Sequence, residues 1–233
     1  MHSRQRTSAR SSPYRPEVQS FAVDALLAFG AALVSLRLSA ELVRRFRRLR
    51  SAELAAWAAA LAAYAVAAGA LAWGAAAGWN EAAFRVYYLA GGLLTAPLLG
   101  AGSLLLVGRR VAAPVVLAYC GLAVGVAIAA PVDGPFAGTD VPEAQDVLDL
   151  WPARALAIAG NTLGTLAVVA VALATIRRRP LGNSLILAGV VVAAVGSGLA
   201  GLGVGALAPV LALAAVLLYA GFVAPRRGPR PPA

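Results

Sequence analysis

Few residues in this sequence have side chains able to hold a proton, a metal or a polar ligand, and their placement narrows the chemistry. Asp133, Asp140, Glu143, Asp146 and Asp149 supply five of the ten acidic residues within one stretch, Asp133 to Pro152. Clustered carboxylates suit hard divalent cations, but the spacing fits no calcium-loop pattern. The alternative is a solvated loop, with Pro142 to Trp151 as a short interfacial helix whose Val147, Leu148 and Trp151 lean on a membrane. Asp24 stands near the end of an apolar run, where a lone acid suggests proton or cation coupling, or merely contact with water. Asn161 and Thr165 lie one helical turn apart, beside Gly160 and Gly164. In lipid the Asn amide needs a partner, so packing glue comes first and a cavity lining second. Pro97 has no N–H for the carbonyl of Leu93 and predicts a kink, which can also line a pocket.

Other chemistries lack their residues. All twenty basic residues are arginine, so no lysine can form a retinal Schiff base. The only histidine is His2 and the only cysteine Cys120, which leaves no bis-histidine haem, no zinc or copper cluster and no Ser–His or Cys–His nucleophile pair. A lone cysteine forms no intrachain disulfide. No glycine loop with a lysine cradles phosphate. The expectation is a non-enzyme with no cofactor and no metal.

The elements that carry these residues are set by hydrophobicity. Of the 233 residues, 61% are hydrophobic and 13% charged, about half the charge a soluble surface needs, and mean hydropathy is +0.78. Charge-free runs near 54–77, 86–108, 111–132 and 155–176 each match the roughly 20 residues that cross a bilayer. The run from Pro180 to Pro225 is more than twice that length, so it folds back at the glycines of 201–205 into spans 183–200 and 206–223. A seventh span, 21–38, carries Asp24 and Arg37 at its ends, where charges reach an interface. A signal peptide cleaved near Ser39-Ala40 is the competing reading of that segment, but cleavage would remove the helix that holds the next arginines inside. The expected fold is an all-α membrane bundle at 18–223, between a disordered basic tail at 1–17 and a short basic tail at 224–233. The true start could also fall later than Met1.

Arginine placement orients the bundle. With the N-terminus outside and the C-terminus inside, the inner segments hold Arg37, Arg44, Arg45, Arg47, Arg48, Arg50, Arg109, Arg110, Arg177–Arg179, Arg226, Arg227 and Arg230. The outer ones hold Arg85, Arg154 and the four arginines of the tail, so retention of positive charge favours N-out, C-in. The net charge of +10 therefore points to anionic lipid headgroups and not to nucleic acid. Trp73, Trp79, Phe84, Tyr87, Tyr88 and Trp151 fall near outer span ends, and Trp57, Tyr219 and Phe222 near inner ones, as two interfacial belts would require. In the inner segment Arg37–Arg50, Leu42, Val43, Phe46 and Leu49 recur at helical spacing. They form either a continuation of the first helix or an amphipathic helix on lipid or a cytoplasmic partner. Gly121/Gly125 and Gly201/Gly205 repeat the small-residue spacing of close helix packing. The absence of lysine and the wealth of alanine point to a GC-rich bacterial, actinobacterial genome.

The stretch Ala52–Arg110 resembles the membrane sensory module of bacterial seven-span histidine kinases. The shared features are a basic loop before it, Trp57 and Tyr64 in an alanine-rich span, and Phe84-Arg85-Val86-Tyr87-Tyr88 leading to Pro97. The run Gly160-Asn161-Thr162-Leu163-Gly164 also looks like standalone actinobacterial multi-span proteins of unassigned function. The first resemblance implies a sensor, and with ten residues after Val223 its output would come from a membrane or cytoplasmic protein partner. The leading expectation is thus a non-catalytic, sensor-like or accessory subunit of the bacterial cytoplasmic membrane. The alternative is a small-solute or ion transporter. A superposition of spans one to three on spans five to seven would favour transport, and a closed bundle with no central polar cavity the accessory reading.

Overall fold

The computed structural model describes residues 16–134, 136, 138–200 and 207–224; side chains are described from residue 25, except at 194–200, 207–209, 211, 222 and 223. Among the described residues there are helices and turns but no strands. In order these are α1 (Pro16–Leu49), α2 (Ala52–Ala77), α3 (Glu81–Tyr87), a π-helical stretch (Tyr88–Thr95), α4 (Ala96–Leu106), α5 (Ala112–Ala129), α6 (Ala144–Val147), an irregular turn with π-type bonds (Leu150–Arg154), α7 (Ala155–Thr175), α8 (Pro180–Ala200) and α9 (Leu207–Val223). Among the described residues five helical rods are long and apolar enough to cross a bilayer: Ala25–Leu49, Ala52–Ala77, Glu81–Leu106, Ala112–Ala129 and Leu150–Thr175. Two shorter apolar pieces, Pro180–Ala193 and Ala212–Gly221, lie in α8 and α9. The expected turn at 201–205 lies outside the described residues.

The burial pattern identifies the solvent. The span in α5 has the highest mean hydropathy of the five, 2.1, yet only 11% of it is buried. Val111, Val115, Leu117, Leu122 and Ile128 all face outward. In water such a face would drive aggregation; in hydrocarbon it costs nothing. The chain is a helical bundle with the surface of a multi-pass membrane protein.

At 34 residues, α1 is roughly 50 Å long, well beyond the ~30 Å of a bilayer core. The basic segment after Arg37 is therefore helix and not loop. Glu41 pairs with Arg44 and Arg45, both at 3.0 Å, one turn on. Leu42 and Val43 pack on Leu54 and Trp57 of α2, so this half of the amphipathic face docks within the chain, while Leu49 at its end is exposed. Only Arg50 and Ser51 separate α1 from α2. Arg50 takes the left-handed conformation, φ 51°, and its N–H closes the helix onto Phe46.

The neighbour relations close a ring. α1 lies against α2, α2 against the rod of α3, π stretch and α4, that rod against α7, α7 against α8, α8 against α9, and α9 against α1. α5 stands outside, touching α4, the π stretch and the Leu150–Arg154 turn. A Cβ placed on Gly121 or Gly125 would meet nothing within 4 Å, so the small-residue spacing on α5 serves no packing among the described residues. On α7 it does. A Cβ on Gly164 would collide with the backbone of Ala96 and Pro97, and one on Gly100 would stand 2.7 Å from Gly164. The two helices cross backbone to backbone there.

One end of the bundle is sealed by a mixed core. Ala28, Leu71, Trp79, Phe84, Val126, Ala130, Val147, Leu148 and Ala153 pack together, with Phe136 and Val141 against them. Trp79 donates from its backbone to Gly138 and from Nε1 to the Thr139 carbonyl, at 3.1 and 3.2 Å. Val147 and Leu148 thus point into protein, which corrects the expectation that they lean on a membrane. The helix expected over Pro142 to Trp151 shrinks to α6, four residues long. Trp79, Phe84 and Trp57 are also buried core rings, unlike the exposed Trp73 and Trp151 that remain suited to an interfacial belt.

Candidate functional site

Toward the opposite end the described residues pack less completely. A cavity of about 700 Å³ lies between α2, α4, α7, α8 and α9, within the ~300–1,000 Å³ range of small-molecule sites. Its deeper wall is apolar, built from Leu99, Val168, Val171, Ile186, Val190 and Leu218. Its mouth holds Leu106 and Val107 after the last turns of α4, together with Arg178 and Arg179 between α7 and α8. The rod's end, the end of α7 and the start of α8 share this lining with Trp57 from the start of α2. That alternation is what hairpin connections between long helices must give.

Local sequence explains how each wall residue is held. Gly102 leaves room for the Trp57 indole, since a Cβ there would strike the ring. Gly182 of α8 and Gly221 of α9 let those helices meet at backbone distance, a Cβ on Gly182 falling 2.9 Å from the Gly221 carbonyl oxygen. Arg179 donates from Nη2 to the Ala224 carbonyl at 2.9 Å and to that of Gly221 at 3.4 Å. A cation on the open carbonyls ending α9 meets the negative end of its dipole.

The polar side chains of the wall are largely engaged with each other. Asn183, 6% exposed, donates from Nδ2 to Thr175 Oγ1 at 2.9 Å, and Thr175 donates in turn to the Val171 carbonyl at 2.7 Å. Ser103 donates to the Leu99 carbonyl at 3.0 Å. Among the described residues no carboxylate lines the cavity, and the charged groups there are Arg178 and Arg179. Glu41, on the same end, is held by Arg44 and Arg45.

None of the candidate polar or acidic residues singled out from sequence is in this wall, although Trp57, Arg178 and Arg179, read there as interfacial and topological residues, are. Asn161 reaches across from α7 to donate to the Gly92 carbonyl at 2.7 Å, inside the π stretch. Pro97 sits at the junction of that stretch with α4, against Gly160 and Gly164. Thr165 is half-buried on α7. Asp24 lies on α1, its side chain outside those described. Asp133, Asp140, Glu143, Asp146 and Asp149 are exposed at the sealed end, and among the described residues no three His, Cys, Asp or Glu side chains come together around a metal-sized space. The residues that sequence reasoning missed are Ser103, Thr175, Asn183, Arg178 and Arg179. Their signal is faint: a Thr and an Asn flanking Arg177–Arg179, where the arginines already have a reading as topology markers.

At the sealed end a recess beside Phe84, Arg85 and Tyr88 holds about 10 Å³, no more than one water. No family model matches the chain, and neither a curated protein nor a solved structure matches it.

Proposed function

We propose that this chain is a seven-span protein of the bacterial cytoplasmic membrane, N-terminus outside and C-terminus inside. In this reading it binds a small ligand from the cytoplasmic end and acts without catalysis, as a sensor-like or accessory subunit that passes the bound state to a partner. The observation that carries it is the cavity of about 700 Å³ beside the Arg177–Arg179 turn, opposite an end packed shut by the 133–153 segment. The arginine distribution supports the orientation, since the cavity's mouth lies among the charges retained in the cytoplasm. The resemblance of Ala52–Arg110 to kinase sensory modules supports the coupling to a partner, and the scarcity of lysine, histidine and cysteine supports the non-catalytic role.

The cavity also favours a second reading, a small-solute or ion transporter caught with one end open. Two measurements separate them. Affinity purification from native membranes followed by mass spectrometry should recover a reproducible protein partner, and purified protein in liposomes should pass no solute. Solute flux without a partner would establish transport instead. A C-terminal reporter active only in the periplasm would overturn the orientation.

A further inference from the structure

We propose that the cavity takes an anionic amphiphile, an aliphatic chain ending in a phosphate, sulfate or carboxylate, with Arg178 as the head-group contact. This rests on the reading of the cavity as a ligand site and adds the ligand's chemical class. The chain would lie along Leu99, Val168, Ile186, Val190 and Leu218, which offer no polar group for a sugar or an amino acid to satisfy. A fully polar solute would be desolvated there without compensation.

The head must then be recognised at the mouth, and three facts set its sign. Among the described residues both charged lining groups are arginines and no carboxylate lines the cavity. The hydroxyl protons of Ser103 and Thr175 are already given to Leu99 and Val171 of their own helices, so these groups have none left for a ligand. Arg179 is engaged on the end of α9. Arg178 is exposed and forms no ion pair among the described residues, leaving a guanidinium fork that suits phosphate or carboxylate in two-pronged geometry. A cation with the same chain would meet like charge.

The test uses the full chain in phosphatidylcholine nanodiscs and reads Trp57, which lines the cavity, while Trp79 packs in the sealed end. Dodecyl phosphate and dodecanol share a chain and differ in head charge. Dodecyl phosphate should give a saturable change in tryptophan emission that Trp57→Phe abolishes, at least tenfold tighter than dodecanol. Arg178→Gln should bring it down to the dodecanol level and Arg178→Lys should restore part of the difference. Ala172→Phe, which fills the cavity, should abolish binding of both; Val190→Phe serves the same end if the first variant does not elute as a folded particle. Equal affinity for the two probes, with both lost in the filled variant, would overturn the anionic assignment and leave the ligand site standing. Binding unchanged by filling would overturn the ligand site itself. Replacing part of the phosphatidylcholine with phosphatidylglycerol separates the sources: competition with dodecyl phosphate identifies a bilayer lipid, and its absence a free amphiphile.

Discussion

The side-chain amide of Asn161 and the backbone carbonyl of Gly92 meet at 2.7 Å, sixty-nine residues apart, and the contact answers a defect made by Pro97. From Tyr88 to Thr95 the rod is wound in the wider π register, in which a carbonyl looks to the N–H five residues on. Five residues beyond Gly92 is Pro97, which has no N–H. Thr95 also donates from its hydroxyl to the Ala90 carbonyl within the π stretch, at 2.8 Å. In hydrocarbon an unmet carbonyl is costly, so α7 supplies the donor. Asn161→Ala should lower stability by about 1–2 kcal/mol. In Pro97→Ala the restored N–H offers Gly92 another partner, so Asn161→Ala should cost less in that background. Thermal unfolding of the four proteins of this cycle in detergent measures the coupling, and strict additivity would dissociate the two residues.

The glycine pairs were legible in sequence as a spacing but not as a contact, because small-xxx-small says nothing about what lies opposite. Gly164 abuts the Ala96–Pro97 backbone, while nothing lies within 4 Å of a Cβ on Gly121. Gly164→Ala should therefore destabilise by about 1–3 kcal/mol through overpacking. Gly121→Ala should be neutral or stabilise by about 0.5–1 kcal/mol, since helix propensity is all it changes. Unfolding midpoints that move in the same direction for both would contradict the helix crossing described.

Charge-free runs made the helical rods legible, since about 20 apolar residues in a row allow few alternatives to a membrane helix. The continuation of α1 through Glu41 to Leu49 was harder to place. Arginines mark an interface in sequence, whereas the Glu41–Arg44–Arg45 pairs and the docking of Leu42 on α2 keep the helix winding past it. The cavity was hidden for a different reason. Its wall draws on five helices, and Thr175, Asn183 and Ser103 become a site only when the ring closes. Single-helix reasoning instead found Asn161 and Pro97, whose oddity is local and whose role is in packing.

Two serines on α1 make opposite forecasts. Ser39 donates to the Ala58 carbonyl of α2 at 2.8 Å, whereas the similarly buried Ser35 finds no partner for its Oγ among the described residues. Removing a made bond costs roughly 0.5–1.5 kcal/mol, and removing a buried polar atom that makes none is neutral or favourable. Ser39→Ala should lower the unfolding midpoint and Ser35→Ala should hold or raise it. Equal losses would mean that Ser35 bonds within the folded protein.

Arg85 ties α3 to the end of α5 at the sealed end. Its Nη1 donates to the carbonyls of Ala127 and Ala130 at 2.7 and 3.0 Å, where α5 terminates, and its Nε to Glu81 at 2.8 Å. The last carbonyls of a helix have no partner of their own and carry its negative end. Beside the apolar packing of Val126 and Ala130 in the sealed core, this guanidinium is a polar tie between the end of α5 and the ring. Bonds from a charged donor contribute about 1.5–3 kcal/mol, while the Glu81 pair, half open to solvent on the acid's side, contributes below about 1. Arg85→Met should thus destabilise by about 2 kcal/mol, and Glu81→Gln by a few tenths. Arg85→Lys should fall between, because one ammonium cannot span both carbonyls with the same geometry. Hydrogen exchange should locate the loss, with faster exchange at 124–130 in Arg85→Met and unchanged protection at the α1–α2 interface. Uniform loss across the bundle would show that Arg85 supports the whole ring and not the end of α5.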